Sequence, residues 1–331
     1  MTTITAQTHH AKVPFRGRTT LLALGVPAAI VATVVALSLS RREDLPEPIA
    51  IHWGLHGPDG FGSLTPNVVI PAVACMIVAG LLWALGFFAG RQSFTRRGAA
   101  AGAVWCVTLL EGVSLGGLIV QKGVEDARDA GSVTGAIVAA FIVSGLVAGA
   151  AILLSPGDPP QPTTQTVPSD AVRLPLKDSE QASWVHEVVS PGYHLSLAGT
   201  VVGVALIVLF TGEWALALLI GVVLGFSFVA FMHFIVTVNR DGLTVRSVIG
   251  RPRFRIPLDE VIKAEVVSVR PMREFGGFGI RGDKHGRIGV VIRTGEMLQV
   301  HRSGDRIFVV TVDDAATAAA LLNTLASRAR G

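Results

Sequence analysis

Two small sets of residues in this sequence could do chemistry. The first is His52, Trp53, His56 and Asp59, within LPEPIAIHWGLHGPDGFGS at residues 45–63. Imidazoles and carboxylates bind zinc and related metals, and an exposed histidine pair also changes charge near neutral pH. A closed metal site needs three or four ligands, and Asp59 is the one obvious third. The i, i+4 spacing would align both histidines on a helix, but Gly54 and the neighbouring prolines argue against a helix here. The competing reading is a loop lid whose histidines and Trp53 lie at a membrane interface and bond the backbone. No metal and no cofactor are assigned. The second set is one residue, Glu111, near the middle of an apolar run. An ionised carboxylate is costly there, so Glu111 is either a functional group or a neutral side chain bonded to a neighbour such as Ser144. The sequence holds no HExxH, nucleophile-elbow or phosphate-loop pattern. No catalytic residue is assigned, and the chain reads as a non-enzyme.

The elements that position these residues follow from composition. Half of the residues are hydrophobic and 16% are charged, against about 25% charged in a typical soluble domain. Apolar runs long enough to cross a bilayer core of roughly 30 Å fall at 19–40, 67–90, 98–120, 133–154, 195–211 and 214–236. The fifth is the shortest and would also suit a re-entrant segment. Residues 1–18 form a polar tail, and 19–154 a four-span membrane domain whose loop 41–66 holds the histidines. Residues 155–192 are rich in Pro, Ser, Thr, Asp and Gln and read as a flexible linker, followed by a two-span hairpin over 193–236. Cys75 and Cys106 both lie inside spans and read as small buried hydrophobes, not as a disulfide.

Basic residues set the expected orientation. With the amino terminus inside, Lys12, Arg16, Arg18, Arg91, Arg96, Arg97, Arg173 and Lys177 lie in the cytoplasm, against Arg41, Arg42, Lys122 and Arg128 outside. Both termini are therefore expected in the cytoplasm and the histidine loop on the outer face. Small-xxx-small pairs at Gly112/Gly116, Gly145/Gly149, Gly199/Gly203 and Gly221/Gly225 suit close helix packing, chiefly within the bundle.

From about Phe234 the pattern turns to alternation. FIVTVN, LTVRSV, PRFRIP, VIKAEVVSV, RIGVVIRT, MLQVHRS and RIFVVTV predict seven strands, with Asp241-Gly242, Gly295-Glu296 and Gly304-Asp305 as turns. In PRFRIP, Arg251, Arg253 and Arg255 fall on one face, and Phe254 and Ile256 on the other. Residues 313–328 predict a closing helix, with Thr311 as N-cap and Asp314 three residues on. About 95 residues suffice for such a domain to fold alone. From residue 237 onward, sixteen Lys and Arg face ten Asp and Glu. Arg270, Arg273, Arg281, Lys284 and Arg287 cluster near a Gly-rich loop. Held close to an anionic leaflet, such cations favour lipid association. Nucleic-acid binding does not fit a membrane-tethered domain with few aromatics.

Two resemblances extend this reading. Pro46 and Pro48, then His52-Trp53, then Gly57-Pro58-Asp59-Gly60-Phe61-Gly62 resemble the outer loop of a bacterial domain family of unknown function. That family occurs in polytopic membrane proteins, including the immunity and signalling protein for the sporulation-delay toxin. The likeness covers roughly residues 20–90, and His56 departs from it. Residues 234–331 resemble bacterial pleckstrin-homology-like domains through DGLTVRS, RFRIPLDEV, GGFGIRG and VTVDDAATAAALL. That resemblance implies a β-sandwich capped by a helix, used for binding and not for catalysis.

The expectation is an α-helical integral membrane protein of about six spans, joined to a pleckstrin-homology-like domain of seven antiparallel strands and one helix at 237–331. It would sit in a bacterial inner membrane as a sensor, regulator or immunity-type protein. Its partners would be anionic inner-leaflet lipids, met by Arg251, Arg253, Arg255, Arg273, Arg281 and Lys284, and a protein or peptide of unknown identity. The alternative is a proton- or ion-linked transporter centred on Glu111. A cysteine placed at His56 should react with a membrane-impermeant thiol reagent in intact cells. Labelling only after lysis would reverse the orientation.

Overall fold

The computed structural model describes residues 13–54, 56–177, 179–283 and 285–330, and the chain divides into two compact units, 1–158 and 159–331. Among the described residues, six helices are long and apolar enough to cross a membrane. Four of them form the first unit: α1 (Arg16–Ser40), α2 (Leu64–Phe88), α3 (Ser93–Ile119) and α4 (Thr134–Leu154). α3 packs against each of the other three. Its inward residues are small, so Ala100, Ala103 and Val107 close on Leu22, Val31, Cys75 and Ala79. The seam with α4 is closer still. A Cβ on Gly116 would lie 2.4 Å from that of Ala136, and one on Gly112 would lie 3.1 Å from that of Ala140. This glycine pair therefore packs within the bundle, whereas nothing stands within 4 Å of a Cβ on Gly145, Gly149, Gly199 or Gly203.

The loop between α1 and α2 is a β-hairpin, β1 (Ile49–Gly54) with β2 (Gly57–Gly62). Irregularities in β1 on either side of His52 break the strict alternation. Ile49 and Ala50 are consequently both buried, and Ile49 packs with Leu64, Val68 and Leu118.

The second unit holds the remaining apolar helices, α5 (Tyr193–Thr211) and α6 (Trp214–Met232), and two sheets. At about 1.5 Å per residue, each 19-residue helix matches a hydrocarbon core. α6 passes into strand β4 (His233–Asn239) with no residue between them. One sheet has the order β3 (Trp184–Val189), β4, β5 (Gly242–Ser247), β6 (Arg253–Ile256). The other has β7 (Val261–Val269), β10 (Gly295–Arg302), β11 (Arg306–Thr311), β9 (Ile288–Val291) and β8 (Gly279–Gly282). Helix α7 (Ala315–Arg328) packs against β7 and β10. Gly242 shows why its turn needs glycine: φ is +106°, and a Cβ would lie 2.1 Å from the Ile256 carbonyl oxygen.

Three expectations change here. All seven predicted strands form, but β3 and β8 join them, and β9 runs parallel to β11, so the set is not seven antiparallel strands. The α7 N-cap is Asp314, whose carboxylate accepts from Thr317 N–H at 3.1 Å, and not Thr311. Thr311 instead lies in β11 and accepts from Ile292 N–H.

The third change concerns residues 155–192. Much of this stretch is a strap bound to the second unit. Gln161 N–H donates to Glu260 at 3.0 Å, Thr163 N–H to Asp259 O at 2.8 Å, and Leu174 N–H to Thr324 at 2.9 Å. Val167 and Ala171 are buried, and Arg328 donates to the Leu176 and Glu180 carbonyls. The strap leads into β3, which pairs with β4 along its length. The sheet unit therefore does not begin at residue 237, and a fragment starting there would lack an edge strand.

Asn323 is the centre of this arrangement. Its amide accepts from Ala264 N–H and donates to the Ala264 and Val172 carbonyls. Asn323→Ala leaves buried backbone groups unpaired, at about 1–3 kcal/mol each. Thermal unfolding should fall by several degrees, and a protease should begin to cut within 161–177. An unchanged cleavage pattern would show that the strap is held without Asn323.

Candidate functional site

The hairpin places the first set of residues. His52 Nδ1 lies 2.5 Å from Asp59 Oδ1, with both side chains more than half exposed. A Cβ on Gly54 would lie 2.4 Å from Asp59 Oδ2, so that glycine leaves the room the carboxylate occupies. His56 is exposed at the hairpin turn. Trp53 points elsewhere: its Nε1 donates to Gly131 O at 3.0 Å, and its ring lies across Gly117 of α3. The structure thus pairs His52 with Asp59 and commits Trp53 to packing. Among the described residues, no group of three or more His, Cys, Asp or Glu is placed to hold a metal.

What fixes the hairpin is a residue between the third and fourth apolar runs that no sequence pattern singles out. Gln121 is fully buried just past the end of α3. Its Oε1 accepts from Ala50 N–H at 2.6 Å, and its Nε2 donates to Ala50 O at 2.9 Å and Gly117 O at 2.8 Å. One side chain therefore supplies β1 with the pairing an adjacent strand would give. Neighbouring loop residues add support. Lys122 meets Asp44 at 3.3 Å, and the Arg128 guanidinium lies 5.3 Å from the Phe61 ring centroid. Asp126 accepts from the Arg128 backbone N–H, which together with the Arg128 side chain holds its carboxyl below the usual range.

Magnitudes separate the two features. An exposed ion pair such as His52–Asp59 contributes about 0–1 kcal/mol. The buried Gln121 contacts are costly to lose, because unpaired backbone groups would remain. The pair is therefore free to exchange partners while the hairpin stays docked.

Glu111 is the second candidate, and it is 2% exposed. The expected partner Ser144 donates instead to Phe141 O of its own helix. Cys75, read as a plain hydrophobe, is the polar side chain that lies beside Glu111. The Glu111 carboxyl oxygen Oε1 and the Thr108 hydroxyl one turn away have no partner among the described residues. At the opposite end of α3, Arg96 is 1% exposed and donates to the carbonyls of Gly90, Arg91 and Gly157 and to Asp158. Ser93 also binds Asp158 through both its N–H and its hydroxyl.

The basic residues occupy the sheet unit. Arg251, Arg253 and Arg255 are exposed, Ile256 is buried, and the Phe254 ring lies 5.3 Å from Phe308 in the core. Arg253 stands opposite Arg246 in register. Arg273 and Arg281 are exposed on the segment 270–282, and Lys284 lies outside the described residues. Within that segment Glu274 accepts from Arg270 N–H and from Arg287, which holds its carboxyl below the usual range. A polar group that the sequence reading omitted lies on β7 and β10. There Glu265 accepts from Gln299 at 3.1 Å, lies 2.8 Å from His301 Nε2, and meets Lys263 at 3.1 Å.

No family model, curated protein or solved structure matches the chain. The functional reading therefore rests on this geometry.

Gln121→Leu keeps the volume but strands the N–H and C=O of Ala50. The hairpin should detach, become a target for added protease in the purified protein, and expose Trp53 to aqueous quenchers. The expected cost is about 1–3 kcal/mol per orphaned group. A hairpin that resists protease as well as the parent does would show that Trp53 and Ile49 hold it unaided.

Proposed function

We propose that this chain is a non-enzymatic bacterial membrane sensor or regulator of the immunity type. In this reading the hairpin samples the outer face, and the sheet unit, a pleckstrin-homology-like module, binds a cytoplasmic partner and anionic lipid. One observation carries the proposal. The first unit grips its own end at Asp158, through Arg96 and Ser93, and the second grips its own start at Gln161, through Glu260. Only Pro159 and Pro160 intervene. Proline fixes φ, so in this reading the chain path between the two grips has few free torsions. α3 also carries Gln121 at its other end, which puts the hairpin and the connection on one helix. His52 and Asp59 supply the recognising groups: a ligand bearing an acid, a base or a hydrogen-bonding edge can displace one partner at little cost.

A second reading, ion- or proton-linked transport, is favoured by Oε1 of Glu111, which has no partner among the described residues and lies near Cys75. The small residues that fill the bundle around it favour packing over a pathway.

Hydrogen exchange on the full chain in lipid nanodiscs separates the two. Under the sensor reading, Asp59→Asn alters exchange several-fold in residues 161–177, far away in sequence, and Glu111→Gln does not abolish that response. If exchange in the strap is the same with and without the hairpin substitution, the sensor reading fails. Proton uptake by proteoliposomes that disappears in Glu111→Gln would select the transport reading.

A further inference from the structure

The sheet unit exposes large apolar side chains where α6 ends. The β5–β6 turn folds back on that junction: Val248 N–H donates to His233 O at 3.2 Å, and Ser247 N–H to Pro252 O at 2.9 Å. At the tip of this turn Ile249 is 44% exposed. Strand β8 also packs against α6, and the segment leading to it exposes Phe278 by 46% and Met272 by 67%. Soluble surfaces tolerate single exposed hydrophobes, but Ile249 shares its turn with Arg251, and Met272 and Phe278 share their segment with Arg270, Arg273 and Arg281, all exposed. No acidic side chain is ion-paired with these four arginines among the described residues.

The segment is built to hold this exposure. Phe275 is buried against Val269, Val291, Met297 and Val309, and the Arg287 guanidinium lies 4.9 Å from its ring centroid. Glu274 receives Arg270 N–H and Arg287, and Arg281 Nε donates back to Phe278 O at 3.1 Å. With Phe275 anchored inward and the backbone tied on both sides, Met272 and Phe278 cannot turn into the core. The rings of Tyr193 and His233, 5.6 Å apart, mark the same end of the α5–α6 hairpin. Amphipathic rings of this kind settle at headgroup level.

We propose that Ile249, Met272 and Phe278 enter the headgroup–acyl boundary of the leaflet in which α5 begins and α6 ends, with Arg251, Arg270, Arg273 and Arg281 on anionic lipid phosphates. Apolar side chains beside basic ones are what an anionic lipid interface selects. The helix hairpin holds the surface beside that leaflet. This deepens the lipid-binding part of the proposed function and moves it: Arg253 and Arg255 lead away from the turn along β6, so Arg251, in the turn itself, is the nearest of the three to the lipid. The inference rests on α5 and α6 crossing the membrane and not on the sensing role, so the two fail separately.

The test is photocrosslinking of the full chain in nanodiscs, with p-benzoylphenylalanine at position 278, at position 272, or at Val172 on the strap. In discs containing phosphatidylglycerol, positions 278 and 272 should give phospholipid adducts by mass spectrometry, many-fold above position 172. Combining Arg251→Glu, Arg273→Glu and Arg281→Glu should cut the yield several-fold. Adducts at 278 and 272 no more abundant than at 172 would overturn the proposal and leave the surface for a protein partner. Equal yields in phosphatidylcholine and phosphatidylglycerol discs would overturn it as well, because the arginines would then contribute nothing.

Discussion

The first unit depends on the amide of Gln121. A hairpin of fourteen residues, Ile49 to Gly62, is marginal in water on its own, and this one has no third strand among the described residues. Gln121 supplies the missing edge from a helix end, accepting and donating at the one residue, Ala50, where an irregular strand turns inward. Because the amide is fully buried, its bonds meet no competition from water. The exposed His52–Asp59 pair can be altered without unfolding the element that presents it.

α3 is a helix with polar clamps at both ends and an apolar middle broken by one carboxyl group. Arg96 gathers the α2–α3 loop and the segment after α4 at one side, and Gln121 holds the hairpin at the other. Glycines between them bring α4 within contact distance. Each clamp uses a side chain to satisfy backbone groups that bends and short loops leave unpaired. The helix that touches every other helix of the bundle thereby also fixes both of its loops.

Much of this was legible in the sequence, for physical reasons. Long apolar runs have few alternatives to long helices, and the alternation in FIVTVN or RIFVVTV leaves little choice of structure. The arginine and phenylalanine faces of β6 followed directly from period-two patterning. What escaped notice depends on partners distant in sequence. Gln121 lies 71 residues from Ala50, and nothing in QKGVEDARDAGS marks one amide as buried. The strap looked like a linker because prolines and threonines dominate it, yet Asn323 and Thr324 on α7 satisfy its backbone about 150 residues away. Strand β8 was hidden by the glycines of GGFGIRG. Ser144 was a reasonable partner for Glu111 by type, but its hydroxyl turns to its own helix, as helical serines often do.

The junction between α6 and β4 has a mechanical consequence. A helix advances about 100° per residue, and here its last turn is followed at once by a strand locked between two neighbours. There is no swivel. If α6 turns about its axis, by tilting or by sliding against α5, the four-stranded sheet must turn with it. The four-stranded sheet thus behaves as a vane fixed to the α6 shaft.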